Sequence, residues 1–291
     1  MELRGILPAL VTPFDDRGQV DFPTLKELLN YQLENGVDGF VPMGSTGEYY
    51  AMSAGERQDV LKAVYDTVAD RGLLIAGTNA GSTRDVIAHT EAAKKIGYDT
   101  VLLAPPYYAL PSPDELNAHY QAVLDAVDVE LVLYNYPPRV GVECGLATLD
   151  YFADDPRVIG IKESSGSLVR AIEIKERYGD KYQLSCGSDD IAFDFFMWGA
   201  TSWICGPANC VIEPCVALYR KFMAGDIKGA QAEMRRLFPT MASLESGKFV
   251  QKVKYGCELA GIPVGEARRP LLPLTADEKR AFEKVFTAVA G

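Results

Sequence analysis

The sequence predicts an α/β fold in which short parallel strands alternate with amphipathic helices. Three observations carry the prediction. Short apolar runs recur at 5–10, 39–43, 73–77, 100–104, 130–135, 158–162, 183–187 and 201–206, giving eight candidate strands. The segments between them have helical periodicity and helix-capping residues. After about Gly225 the strand-like runs stop and the pattern becomes purely helical. Strand alternating with helix argues for a parallel sheet, and eight such units close a (β/α)₈ barrel. A doubly wound open sheet is the other arrangement of this pattern. It usually carries a glycine-rich GxGxxG after its first strand, and here Leu10-Val11-Thr12-Pro13 stands in that place.

The helices are justified one by one. Asp21 and Pro23 open a stretch carrying Leu25, Leu28, Leu29 and Leu33, which Gly36 closes. Ser53-x-x-Glu56 and Ser112-x-x-Glu115 are capping-box patterns, the second with Pro113 at the first helical position. Ser82-x-x-Asp85 is a weaker version, and Gly97 follows its helix. Stretches 229–237, 248–259 and 276–289 read as helices joined by turns containing Pro and Gly. The expected division is therefore a barrel over residues 1–224 and a helical region packed on it over residues 225–291.

Composition narrows the function. An apolar fraction of 48% is that of a soluble globular chain able to bury a sizeable core. The net charge is −11 and the acidic residues are dispersed, which argues against nucleic-acid or anionic-membrane partners. Met1-Glu2-Leu3-Arg4-Gly5 has neither a basic nor an apolar leader region, so a cytoplasmic location is expected. Cys144, Cys186, Cys205, Cys210, Cys215 and Cys257 form no CxxC pair, and His89 and His119 are not spaced as ligands. Reduced, buried thiols and no metal are expected.

In a barrel of this kind chemistry collects at the C-terminal ends of the strands. Lys162 ends the run Val158-Ile159-Gly160-Ile161. An ammonium there is costly unless paired, and burial frees the lone pair that Schiff-base chemistry needs. A lysine snorkelling to the surface is the other reading. Gly44-Ser45-Thr46-Gly47-Glu48 is a small-residue turn whose N–H groups and hydroxyls suit a carboxylate; an ordinary tight turn is the alternative. Tyr134 is a phenol at another strand end, able to shuttle protons beside an amine, or else a rim tyrosine. Arg139 offers a planar fork to a carboxylate, or a surface ion pair. Together they describe a site for a 2-oxo acid.

Two motifs carry a resemblance over essentially the whole chain. One is Gly44-Ser45-Thr46-Gly47-Glu48; the other is Tyr134-Asn135-Tyr136-Pro137 followed by Gly160-Ile161-Lys162-Glu163. The chain resembles the dihydrodipicolinate synthase / N-acetylneuraminate lyase family of class I aldolase-type enzymes. The resemblance implies that Lys162 forms the imine and that Tyr134 relays protons. It implies that Ser45 and Thr46, with Gly47 in the same turn, bind the carboxylate, and that the hydroxyls link to Tyr134, which gives Ser45 a part in catalysis. Tyr108 matches a tyrosine that reaches into a neighbouring subunit's site to complete the relay, Arg139 an arginine that meets the second substrate's carboxylate, and Ile204 a residue whose backbone carbonyl faces the substrate. A homotetramer built as a dimer of dimers, and no cofactor, are implied as well.

The substrate is read from finer features. Lysine-biosynthetic synthases carry Thr-Thr where this chain has Ser45-Thr46, and an Asn-Pro-x-Pro-Val-Lys stretch in the C-terminal region, which here reads Ser246-Gly247-Lys248-Phe249-Val250-Gln251-Lys252-Val253-Lys254. Strand eight, Trp203-Ile204-Cys205-Gly206-Pro207, and the Gly-Lys-Phe-Val-Gln-Lys stretch look more like catabolic members. The first expectation is therefore a deaminase of pyrroline-4-hydroxy-2-carboxylate or a lyase of 2-keto-3-deoxy sugar acids. The alternative is 4-hydroxy-tetrahydrodipicolinate synthase, condensing pyruvate with aspartate semialdehyde. A barrel that senses a 2-oxo acid without turnover is the reading from a different class.

Overall fold

The computed structural model describes residues 1–290. In chain order the first elements are β1 (Gly5–Pro8), α1 (Phe22–Glu34), β2 (Gly39–Phe40), α2 (Ala54–Val68), β3 (Leu73–Leu74), β4 (Ala76–Gly77) and α3 (Thr83–Ile96). Next come β5 (Thr100–Leu103), α4 (Pro113–Ala126), β6 (Glu130–Asn135), α5 (Pro137–Val140), α6 (Leu146–Tyr151), β7 (Val158–Glu163) and α7 (Leu168–Tyr178). The rest are β8 (Gln183–Cys186), α8 (Ala192–Met197), β9 (Ser202–Cys205), α9 (Ile212–Met223), α10 (Ile227–Glu245), α11 (Phe249–Leu259) and α12 (Ala276–Ala290). Every predicted apolar run contains a strand. The third run divides at Ile75, because Leu73 donates to the Asp38 carbonyl whereas Ala76 and Gly77 pair with Val101 and Leu102.

Capping chemistry sets the helix starts. Ser53 and Ser112 each accept from the backbone N–H three residues on, and Glu56 and Glu115 return the bond, so both capping boxes form. Each such cap stabilises its helix by about 1 kcal/mol. Asp21 and Ser82 cap α1 and α3 in the same way without the reciprocal bond. No helix among the described residues is long and apolar enough to cross a membrane.

The chain forms two compact units. One comprises Met1–Arg4 and Leu74–Ile204. Its strands are all parallel and pair in the order β4-β5-β6-β7-β8-β9. Leu102, Leu133, Ile161, Leu184 and Trp203 are buried in it, each apolar side chain contributing roughly 1.5–3 kcal/mol by leaving water. Trp203 also needs a partner for its indole N–H and donates to Asp189 Oδ1 at 2.9 Å.

The other unit comprises Gly5–Leu73 and the chain from Cys205 onward. Asn209 ties its two segments: its side chain accepts from Val11 N at 3.1 Å and donates to Ala9 O at 3.0 Å. Helix α10 packs against α9, α11 and α12, burying Leu237, Met241, Leu244, Val253 and Phe282. All six cysteines are buried free thiols, as the spacing suggested.

Candidate active site

Lys162 and Tyr134 meet because β6 and β7 run parallel in fixed register. Leu133 lies beside Ile161, Tyr134 beside Lys162 and Asn135 beside Glu163, after an irregularity at Leu131 and Val132. Alternation along a strand sends Tyr134 and Lys162 to one face and their successors to the other. Both are buried, with 5% and 6% of their surface exposed, and Lys162 Nζ lies 4.5 Å from the Tyr134 ring centroid. An amine held against a phenol inside a protein has a proton donor and acceptor at hand without recruiting bulk water.

Sequence reasoning gave Gly187 no role beyond ending the 183–187 run. A Cβ added there would lie 2.7 Å from Lys162 Cε and 1.9 Å from Ser164 Oγ. The missing side chain is the space the lysine occupies. Its only sequence signal was a glycine at the end of the strand next to the one bearing Lys162.

On the opposite face stands a polar clamp that sequence reasoning also missed. Glu163 is fully buried. Asn135 Nδ2 donates to its two carboxylate oxygens at 3.1 and 2.9 Å, and Ser165 N donates at 2.7 Å. Arg170 Nε approaches Glu163 at 3.4 Å and Glu143 at 3.3 Å. These are ion contacts rather than aligned hydrogen bonds. Arg170 also donates to Cys144 O at 2.5 Å, and Cys144 N donates to Asn135 Oδ1 at 2.9 Å. A buried carboxylate is tolerated only with such partners. The clamp holds the strand ends that carry Tyr134 and Lys162.

In the second unit, the turn over residues 44–48 follows β2. Gly47 N donates to Gly44 O at 3.1 Å, and Thr12 Oγ1 donates to Gly47 O at 3.0 Å. A Cβ on Gly47 would come within 2.7 Å of Leu10 O, so the close approach requires glycine. Met43, just before the turn, and Glu48, its last residue, have φ of 59° and 60°. Left-handed geometry at residues with a side chain costs roughly 1–2 kcal/mol each and marks a turn held by its surroundings. Ser45 is half-buried and Thr46 is 7% exposed.

The remaining expected residues lie in the first unit. Arg139 is on α5, with its guanidinium 5.5 Å from the centroid of the Tyr136 ring. Ile204 is fully buried on β9. Tyr108 has φ of 71° and is 96% exposed.

Parallel strands alternating with helices, with an amine set against a phenol at two neighbouring strand ends, define an aldolase-type α/β lyase. The dihydrodipicolinate synthetase family matches residues 2–289, and the chain belongs to that family. It is an enzyme, a lyase of the group that includes the N-acetylneuraminate lyases. It is 39% identical over 282 residues to a 4-hydroxy-tetrahydrodipicolinate synthase of Pelobacter propionicus, covering 96% of this chain and 95% of the relative. The chloride-inhibited dihydrodipicolinate synthase of Acinetobacter baumannii, solved with pyruvate, superposes with a TM-score of 0.95 at 30% identity, covering 99% of each chain. The 4-hydroxy-tetrahydrodipicolinate synthase of Methylacidiphilum fumariolicum gives 0.95 at 30%, covering 99% of this chain and 96% of its own. The fold class is therefore the (β/α)₈ barrel with a C-terminal helical part.

Proposed function

We propose that this enzyme is a 4-hydroxy-tetrahydrodipicolinate synthase, joining pyruvate to aspartate semialdehyde. The observation that carries the chemistry is the register pair Tyr134 and Lys162, with the amine 4.5 Å from the ring centroid. The choice of substrate rests on the relatives, which bear that name at up to 39% identity over nearly the whole chain. They favour the synthase over the catabolic reading expected first from the 247–252 stretch and strand eight.

In the proposed reaction the Lys162 amine attacks the keto carbon of pyruvate. The carbinolamine loses its oxygen as water, with Tyr134 handing over and taking back the proton. The imine then loses a methyl proton to give an enamine, whose carbon attacks the aldehyde of the second substrate. Closure by the second substrate's amine expels Lys162 and restores the free enzyme. Ser45 and Thr46, with Gly47, bind the pyruvate carboxylate; Arg139 takes the carboxylate of the semialdehyde; the Ile204 carbonyl faces the substrate.

The catalytic part is the barrel over residues 1–224, and no metal or redox cofactor enters any step. Tyr108, 96% exposed on a strained backbone, supports assembly into a homo-oligomer in which a second copy covers it.

Borohydride trapping followed by peptide mass spectrometry tests the imine, and a coupled assay tests the condensation. The expected result is a pyruvate adduct on Lys162 and turnover with pyruvate plus aspartate semialdehyde. Trapping of 2-keto-3-deoxy sugar acids or pyrroline-4-hydroxy-2-carboxylate with no synthase turnover would return the catabolic reading. Binding of pyruvate without any adduct would make the protein a sensor.

A further inference from the structure

Glu48 closes the 44–48 turn in an unusual state: its backbone is left-handed, with φ of 60°, and its carboxylate is fully buried. Both conditions are costly, so something outside the turn must hold the residue. Two residues far along the chain do so. Lys254 Nζ stands 2.9 Å from Glu48 Oε1, and Arg268 donates its backbone N–H to Oε2 at 2.8 Å.

Those two holders are themselves fixed. Lys254, 2% exposed, also donates to Glu266 O at 3.0 Å. The Arg268 guanidinium donates to Ala51 O at 2.9 Å, to Gly18 O at 3.0 and 2.7 Å, and to Glu56. Phe14 lies beneath both cations, with Lys254 Nζ at 4.1 Å and Arg268 Cζ at 4.3 Å from its centroid. The segment carrying Arg268 is seated against the same residue: Phe14 N donates to Val264 O at 3.0 Å, and Gly265 leaves no room for a Cβ beside Phe14 O.

The load on Glu48 reaches the turn through one peptide. Glu48 N donates to Ser45 O at 3.4 Å, and Glu48 O accepts from Ala51 N at 2.8 Å. A rotation of Glu48 out of the left-handed region would therefore swing the Gly47 peptide and release Ser45.

We propose that Lys254 and Arg268 are positioning residues for the turn, and that the C-terminal region sets the enzyme's affinity for the pyruvate carboxylate by clasping Glu48. The inference rests on the proposed function, in which that turn binds the carboxylate. Neither residue touches substrate; both act through Glu48.

The test is the pyruvate dependence of borohydride trapping on Lys162 in the full-length enzyme, with thermal unfolding measured alongside. Lys254→Met should raise the half-saturating pyruvate concentration about tenfold or more, through a misplacement of the turn by an ångström or less. The trapping rate at saturation should change by less than about threefold, because the amine and phenol are untouched. The double variant Glu48→Gln/Lys254→Met buries no uncompensated charge, so it keeps the test alive if the single variant does not fold. Its half-saturation should be raised to a similar degree, not to the product of two separate effects. A folded single or double variant with wild-type half-saturation, whatever its melting temperature, overturns the proposal. A wild-type enzyme that traps no pyruvate would instead sink the proposed function.

Discussion

Asn135 donates its side-chain amide to both carboxylate oxygens of Glu163, at 3.1 and 2.9 Å, and the two residues are register partners one step beyond Tyr134 and Lys162. The Tyr134–Lys162 pair thus has a mirror pair on the other face of the same two strands. Asn135→Ala removes both bonds and the acceptor for Cys144 N, leaving a carboxylate and an N–H buried and short of partners. The expected loss is about 2–4 kcal/mol of unfolding free energy. Urea denaturation checks it; a loss below 1 kcal/mol would mean that Arg170 and Ser165 alone satisfy Glu163 (~1 kcal/mol being the worth of one ordinary hydrogen bond).

Gly187→Ala puts a methyl group 1.9 Å from Ser164 Oγ and 2.7 Å from Lys162 Cε. Both are side-chain atoms, so the strain is relieved by rotating the Ser164 hydroxyl and moving the head of the lysine rather than by unfolding. Trapping with pyruvate should slow by about 10²-fold, the usual penalty for a misplaced reacting group, with the melting temperature nearly unchanged. Stopped-flow or quench trapping decides; an unchanged rate would show that Lys162 has a second usable rotamer.

Tyr134→Phe keeps the ring beside Lys162 and deletes only the hydroxyl. Turnover should fall by about 10²-fold or more while the circular dichroism spectrum stays the same. Near-normal turnover in this variant would remove Tyr134 from the relay.

If Arg139 takes the second substrate's carboxylate as proposed, Arg139→Ala should raise KM for aspartate semialdehyde by about tenfold or more and leave KM for pyruvate within about twofold. Equal effects on both substrates would make Arg139 a structural residue.

His119 predicts a pH dependence of stability. Burial holds its imidazole pKa down from 6.5 to about 4. Nδ1 is 2.9 Å from Thr83 Oγ1, and Nε2 has no hydrogen-bond partner among the described residues. The unfolded chain therefore takes up this proton before the folded one does. The stability from the neutral ring is complete above the unfolded value of 6.5 and is lost as pH falls from there through about 4. The full loss amounts to about 3 kcal/mol at 1.36 kcal/mol per pKa unit. Urea titrations at pH 7 and pH 4.5 should show His119→Gln losing less stability on acidification than the wild type; identical slopes would refute this.

Much of this was legible in the chain itself. Lys162 and Tyr134 stand out because strand ends carry chemistry and because each follows a run of buried residues. Ser53 and Ser112 announce their helices because a capping box is a local interaction, complete within four residues. What stayed hidden is what depends on the partner across space. Gly187 reads as any turn glycine until β8 is laid beside β7. Glu48 and Lys254 are more than two hundred residues apart, and neither position signals an ion pair by its neighbours. Glu163 carried no sign of its burial, since nothing near it in sequence foretells Asn135 or Arg170.

The six buried thiols have a use of their own. Burial pushes the Cys144 and Cys257 pKa up to about 12, so these two thiols present almost no thiolate to an alkylating reagent while the fold is closed, and burial shields the other four from it. Each modification event must then wait for an opening of the fold. The thiols fall on both compact units, Cys144 and Cys186 on one and the other four on the second. The enzyme thus carries its own stopwatch for breathing: mass-resolved alkylation would time each half separately, with no label engineered into either.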